Sequence, residues 1–258
     1  MQRAEGELSS SEPELERLLL RIVPGLASQW QGASDAEIAR LEALARRPLP
    51  ACYRWFLERL GTSMGPMMYP GVDFSAQGLL GIYAAGRIAP NPRYLLIGYD
   101  HDEVSPLHYF YDLDTALRGD ALVVRMLTPS DESHEQFETL REMLAWGELY
   151  AQRVATAPQQ CRGVLRYSGE SLGALLQPAL DELGFDTPLE AGAYCGLFER
   201  RDATLVASGT PGDPPGRQSF ALGGHDAASL AQMLGILATR SAVEIDIAAW
   251  SPPLPGNG

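Results

Sequence analysis

Residues 33–61, ASDAEIARLEALARRPLPACYRWFLERLG, hold two apolar stripes separated by the step Pro48-Leu49-Pro50. This stretch constrains the fold more than any other. Ser34 and Glu37, three places apart, make a capping box, in which each side chain satisfies a backbone N–H left over at a helix start. Ile38, Leu41, Leu44 and Ala45 then fall on one face at helical spacing. Pro48 ends that helix, because the residue before a proline disfavours the α region. Pro50 opens the next helix, where a missing N–H costs nothing. Tyr53, Phe56, Leu57 and Leu60 follow at i, i+3, i+4 and i+7, and Gly61 offers a left-handed residue to close the helix. The result is a helical hairpin whose two stripes need a third surface to cover them.

The sequence predicts that surface to be a sheet. Residues 78–84 (GLLGIYA), 93–100, 107–113 and 121–127 are short runs rich in β-branched and aromatic residues, bounded by turn residues. Their close spacing predicts antiparallel meanders, since parallel strands need long crossovers. Upstream, 13–23 (PELERLLLRIV) reads as a first helix, with Pro13, Glu14 and Glu16 suited to its first turn. Downstream, 134–154 reads as one long helix and 155–163 as a linker. Beyond it, strands are expected at 164–167, 193–200, 203–209, 217–224 and 242–250. Helices are expected at 171–184, where Pro178 sits inside, and at 226–240. The expected class is therefore α+β: N-terminal helices on a mostly antiparallel sheet over 1–155, a second, smaller α+β unit over 162–251, and a mobile tail over 252–258. A single core continuous across both units is the alternative.

The chain has 258 residues, 45% of them apolar, enough for a substantial core. Its formal charge is −13, which opposes general binding to nucleic acid, where phosphate contact needs clustered cations. It suits a basic protein partner. There is no lysine, which excludes a Walker-type phosphate loop and lysine Schiff-base chemistry. Cys52, Cys161 and Cys195 are scattered and odd in number, which argues against a disulfide framework and suits a reducing cytoplasm. The N-terminus lacks the basic start and apolar run of a signal peptide, and no stretch is long and apolar enough to cross a bilayer.

The hairpin resembles the opening of the SUKH superfamily. Its elements stand in the family's order: Ile38, Leu41-Glu42, Leu49-Pro50, Tyr53, Phe56-Leu57 and Gly61. YLLIGYDHDEVSPLHYFYDL is similar to the family's strand, acidic turn and strand ending in Asp112-Leu113, and FETLREML resembles its closing helix. The likeness covers residues 30–150. It implies helices flanking an antiparallel sheet, and an immunity protein that binds and neutralises a cognate bacterial toxin, often a nuclease. It implies no catalytic residues and no cofactor. A regulatory scaffold that holds another cellular protein is the second reading.

The acids fit that implication. Asp100, Asp102, Glu103, Asp112, Asp114 and Asp120 fall in turns of the expected sheet, with Asp131 and Glu132 close behind. Taken as one rim, they form a candidate docking face for the basic groove of a nuclease; taken singly, they are acids that solvate turns. Met64, Met67, Met68 and Tyr69 in the loop after the hairpin are adaptable contacts if exposed and gap fillers if tucked in. Two chemical alternatives carry less weight. GESLG (169–173) matches G-x-S-x-G, and a Ser171–acid–His225 triad can be written in chain order. However, the large parallel sheet behind such an elbow is missing from the pattern, and Ser171 is equally a helix cap. His101 and His108 with Asp100 and Asp102 lack the short regular spacing of a rigid metal site.

Overall fold

A computed structural model describes residues 11–254 except 68, 128–131, 170 and 215. Its class is α+β, with two five-stranded antiparallel sheets and eight α-helices among the described residues.

The helical hairpin forms as its sequence dictates. Helices α1 (Pro13–Ile22) and α2 (Leu26–Gln29) precede α3 (Asp35–Ala45) and α4 (Ala51–Leu60). Both halves of the capping box are present on α3: Ser34 Oγ accepts from Glu37 N, and Glu37 Oε2 accepts from Ser34 N at 2.8 Å. Tyr53, Phe56, Leu57 and Leu60 are fully buried. One expectation is corrected. Gly61 is right-handed (φ −69°), and the left-handed cap is Arg46, which ends α3 at φ 55°. Gly61 is needed for space instead, since a Cβ there would lie 2.5 Å from Leu57 O and 2.9 Å from Ala33 Cβ.

The first sheet is a simple meander in the order β1 (Val72–Asp73), β2 (Tyr94–Asp100), β3 (His108–Leu117), β4 (Asp120–Met126) and β5 (Ser133–Phe137). The Tyr53 and Tyr111 rings meet edge-on at 5.3 Å, joining α4 to β3. Residues 78–84, expected as a strand, belong to helix α5 (Ala76–Ala84). The cause is local: Ser75 Oγ accepts from Gly78 N at 3.1 Å, and Asp73 Oδ1 accepts from Ser75 N at 2.8 Å. This cap starts a helix that buries Leu79 and Leu80. The long helix expected over 134–154 is also divided. Its first residues pair with β4 as strand β5, and Thr139 then caps α6 (Leu140–Leu149), which continues as a π-turn (Tyr150–Val154).

The second sheet runs β10 (Val243–Ser251), β6 (Gln159–Tyr167), β9 (Arg217–Gly224), β8 (Ala203–Ser208) and β7 (Cys195–Arg200). The expected linker at 155–163 is a short turn after the π-turn, followed by the first half of β6. Helices α7 (Leu172–Leu183) and α8 (Ala227–Arg240) cover one face, burying Phe198, Leu205 and Leu222. The alternate residues Leu197, Val206 and Ala221 point the other way and join the core of the first half. Of the expected tail, Pro252 is tied back by a 2.8 Å hydrogen bond from Gln159 Nε2 to its carbonyl.

Helix α6 lies between the sheets, packed on β4 and β5 of the first and on β7 and β8 of the second. At this seam two carboxylates, Glu138 and Glu142, flank one guanidinium. Arg118 Nη2 is 2.5 Å from Glu142 Oε1 and 3.9 Å from Glu138 Oε2. Gly192 N also donates to Glu142 Oε1 at 2.6 Å, tying in the chain that leads to β7. Burial first, and the neighbouring Glu142 second, push the Glu138 carboxyl above its ordinary value of 4.5.

Two outcomes are expected. Leu144 is fully buried on α6, so Leu144→Ala costs about 2–5 kcal/mol. Chemical denaturation followed by circular dichroism should still show one transition; two resolved transitions would mean that the halves fold independently. For Glu138, a raised folded-state pKa means that its stabilising contribution is complete below the unfolded value and is lost as pH rises through the folded one. Glu138→Gln should therefore gain stability relative to the native chain as pH rises from about 4.5 and level off above the folded pKa. A constant difference across pH 4–8 would contradict the assignment.

Candidate functional site: the acidic end of the first sheet

Turns in a meander alternate between its two ends, and this separates the candidate acids. The β2–β3 turn carries Asp100, Asp102 and Glu103, and the β4–β5 connection carries Glu132, at the end where His108 pairs with Met126. Asp112, Asp114 and Asp120 lie toward the other end, where Tyr94 pairs with Asp112 and Leu117 with Asp120. The length of β2 from Tyr94 to Asp100, about 20 Å of strand, separates the two groups. The single rim expected from the sequence is therefore corrected to two separate sets. Asp131 and Met68 lie outside the described residues.

The set at the far end is structural. Asp112 is buried and receives Arg93 through two hydrogen bonds, at 3.0 and 2.7 Å, as well as Asp114 N at 3.2 Å. Burial raises its pKa, but the Arg93 guanidinium and the backbone N–H win, and the carboxyl lies below its usual range. Asp114 pairs with Arg47 at 3.1 Å. Asp120 is buried, accepting from Tyr111 Oη at 2.7 Å and Ala121 N at 2.9 Å.

At the near end, Asp100 and Asp102 build the turn and Glu103 does not. Asp100 Oδ1 accepts from Asp102 N at 3.0 Å, and its Oδ2 from Leu107 N at 3.1 Å and Arg125 Nη2 at 3.3 Å. Asp100 N donates to His108 Nδ1 at 3.1 Å, which puts the proton of a neutral ring on Nε2. His108 is buried, stacks on Tyr99 at 4.4 Å, and is held below its ordinary pKa chiefly by burial. The histidine and aspartates weighed for a metal site thus order the hairpin. Asp102 Oδ1 accepts from Val104 N at 2.8 Å and Ser105 N at 3.0 Å, and these bonds lower its pKa. This cap turns Glu103 and Val104 outward. Val104 is 94% exposed, and Leu127 at the start of the β4–β5 connection is also exposed.

Sequence reasoning missed Val104 and Leu127. The available signal was a β-branched apolar residue in the middle of an acidic turn, where only solvation calls for polar side chains. Of the two roles open to the methionine loop, adaptable contact or gap filler, the second is seen: Met67 is buried and the half-buried Tyr69 donates its hydroxyl to Met143 O at 3.0 Å. These two residues belong to the core, because β1 and Phe74 pull the loop across the hairpin. The second half of the chain also reaches this end. A groove of ≈ 630 Å³ runs between Leu107, Arg125 and β5 on one side and Thr210, Gly212 and Asp213 on the other.

The serine–histidine pair has no common site. Ser171 Oγ accepts from Ala174 N at 3.4 Å as the cap of α7, beyond the Tyr167 end of β6. His225 follows Gly224, which pairs with Gln159 at the opposite end of the same strand. The two lie roughly 25 Å apart along β6, too far for a triad.

No family model, curated protein or solved structure matches the chain.

The turn acids are therefore expected to separate into two kinds. Asp112→Ala should lower stability by about 2–3 kcal/mol, having lost charge-assisted bonds to a buried carboxylate. Glu103→Ala and Val104→Ser should stay within about 0.5 kcal/mol of the native chain in urea unfolding. A large loss at Val104 would mean that it is packed rather than presented.

Proposed function

We propose that this protein is a non-catalytic immunity protein of the SUKH type, acting in the bacterial cytoplasm by binding and neutralising a cognate toxin, with a basic nuclease as the class its charge best suits. The carrying observation is the hairpin tip at Glu103-Val104, where a fully presented apolar side chain stands among acids on a turn that is rigidly hydrogen-bonded from below. An apolar knob ringed by charge is the anatomy of a protein interface, with the ring steering encounter and the knob slowing release. A preorganised tip also loses little conformational freedom on binding. The likeness of residues 30–150 to the family's helical hairpin, acidic turn and closing helix points the same way. On this reading the second sheet braces α6 from behind and adds Asp213 to the binding end.

The test is protection. The chain is co-expressed with toxin domains encoded beside its gene, and growth and co-purification are measured. One of these toxins should be neutralised and retained. Val104→Asp and Glu103→Arg should each weaken the complex roughly tenfold or more while leaving the fold intact. Failure to protect against every adjacent toxin would overturn the reading, and so would protection that neither substitution reduces.

A further inference from the structure

A second cleft, of ≈ 780 Å³, opens where the two halves meet, at the end of the second sheet remote from Thr210 and Asp213. It is bordered by α1 and the π-turn from the first half, and by the β7–β8 turn and the end of β9 from the second. Gly223 makes the junction possible: a Cβ there would lie 2.7 Å from Val154 Cα, so only glycine lets the π-turn close against β9.

The charge of this cleft is opposite to that of the chain. The protein has 33 acids against 20 arginines, yet here four arginines meet three carboxylates. Two of those carboxylates are fully engaged. Glu199 takes Arg21 in a fork at 3.1 and 2.5 Å and also has Arg153 at 3.5 Å, so two guanidinium charges share one acid. Asp202 takes Arg200 through both oxygens, at 2.6 and 3.1 Å. The third, Asp186, is exposed and holds none of the arginines. Arg201 makes no hydrogen bond or close ion pair among the described residues, its charge reaching Asp202 only at longer range, and Arg153 has donors left over after its single long contact. His225, 86% exposed, stands at the edge.

Guanidinium groups present paired N–H donors that match the oxygens of phosphate, and two of them lining one cleft, from the π-turn and from the β7–β8 turn, suit an anion with more than one such group. The cleft falls in the size range of small-molecule sites. No Phe, Tyr or Trp lines it among the described residues, and His225 at the edge is its one aromatic ring, so the cleft is built for charge more than for stacking. We propose that this cleft binds a polyphosphate group, free or as the end of a nucleotide, between Arg153 and Arg201. This site is distinct from the acidic end and does not depend on the immunity reading.

Calorimetry on the full chain, at constant ionic strength, tests it with pyrophosphate, ADP and citrate. Saturable one-site binding of pyrophosphate and ADP is expected, with citrate much weaker. Equal affinities would mean that the phosphates alone are read, and tighter ADP that the nucleoside adds contacts. The double variant Arg153→Gln/Arg201→Gln should weaken both ligands roughly tenfold or more. Arg166→Gln, on the exposed face of β6, should change neither. Absence of saturable binding would overturn the site, as would citrate binding as tightly as pyrophosphate. Unchanged affinity in the double variant, with its fold verified by circular dichroism, would also overturn it.

Discussion

Everything in this fold hangs on a helix that must be buried on two sides at once. Helix α6 fills the space between two sheets, and Leu140, Met143, Leu144, Ala145 and Leu149 are all inside. An amphipathic helix has one stripe to bury; a helix with sheets on opposite flanks has almost no wet face left. That explains why Glu142 and Glu148, polar residues on an outwardly ordinary helix, are buried too. Glu142 is held by Arg118 from the β3–β4 turn and by the backbone at Gly192, so its desolvation is offset by partners from both halves. The same position makes the helix a mechanical link. The β7–β9 strands present alternate residues to α6 and to α7 and α8, so neither face of the second sheet is complete without its helix layer.

This arrangement marks the limit of what the sequence discloses. The hairpin around Leu49-Pro50 was legible to within a residue or so, because its signals are local: a capping box, two prolines and stripes at helical spacing. Strands β2, β3, β4 and β7 to β10 were legible for a similar reason, since period-two alternation or continuous apolar runs between turns leave few other choices. Residues 78–84 misled because an apolar run of seven reads equally as strand or helix, and the deciding Ser75 and Asp73 lie just before it. Residues 134–154 misled because the apolar positions from Phe137 through Leu140, Leu144 and Leu149 read as one helix, yet the free edge of β4 captures the residues up to Phe137 as β5. No local pattern announces an edge that needs a partner.

The acids show the same divide between chemistry and place. Their clustering in turns is plain in the sequence, but alternation of turns sends Asp112 and Asp114 to one end and Asp100 to Glu103 to the other. Position also determines what an acid does. Asp112 and Asp120 serve as internal acceptors, Asp100 and Asp102 serve as scaffolding for a tip, and Glu103 is left facing water. A count of acids therefore overstates the proposed docking surface, which is smaller and less polar than the charge of the chain suggests. Its sharpest feature is Val104, an apolar side chain.

Charge is also distributed along the molecule with a sense. The acidic tip and Asp213 lie at one end of the paired sheets, and the arginines around Glu199 lie at the other, with α6 and its π-turn running between. A chain with a large excess of acid gains nothing in solubility by gathering cations into one cleft, and convergence of Arg21 and Arg153 on one carboxylate is costlier than spreading them over the many acids available. Glu199 alone holds the two together, and it does so across the seam, from β7 to α1 and the π-turn. An anion bound beside Arg153, as proposed, would relieve that shared burden at the seam between the two halves.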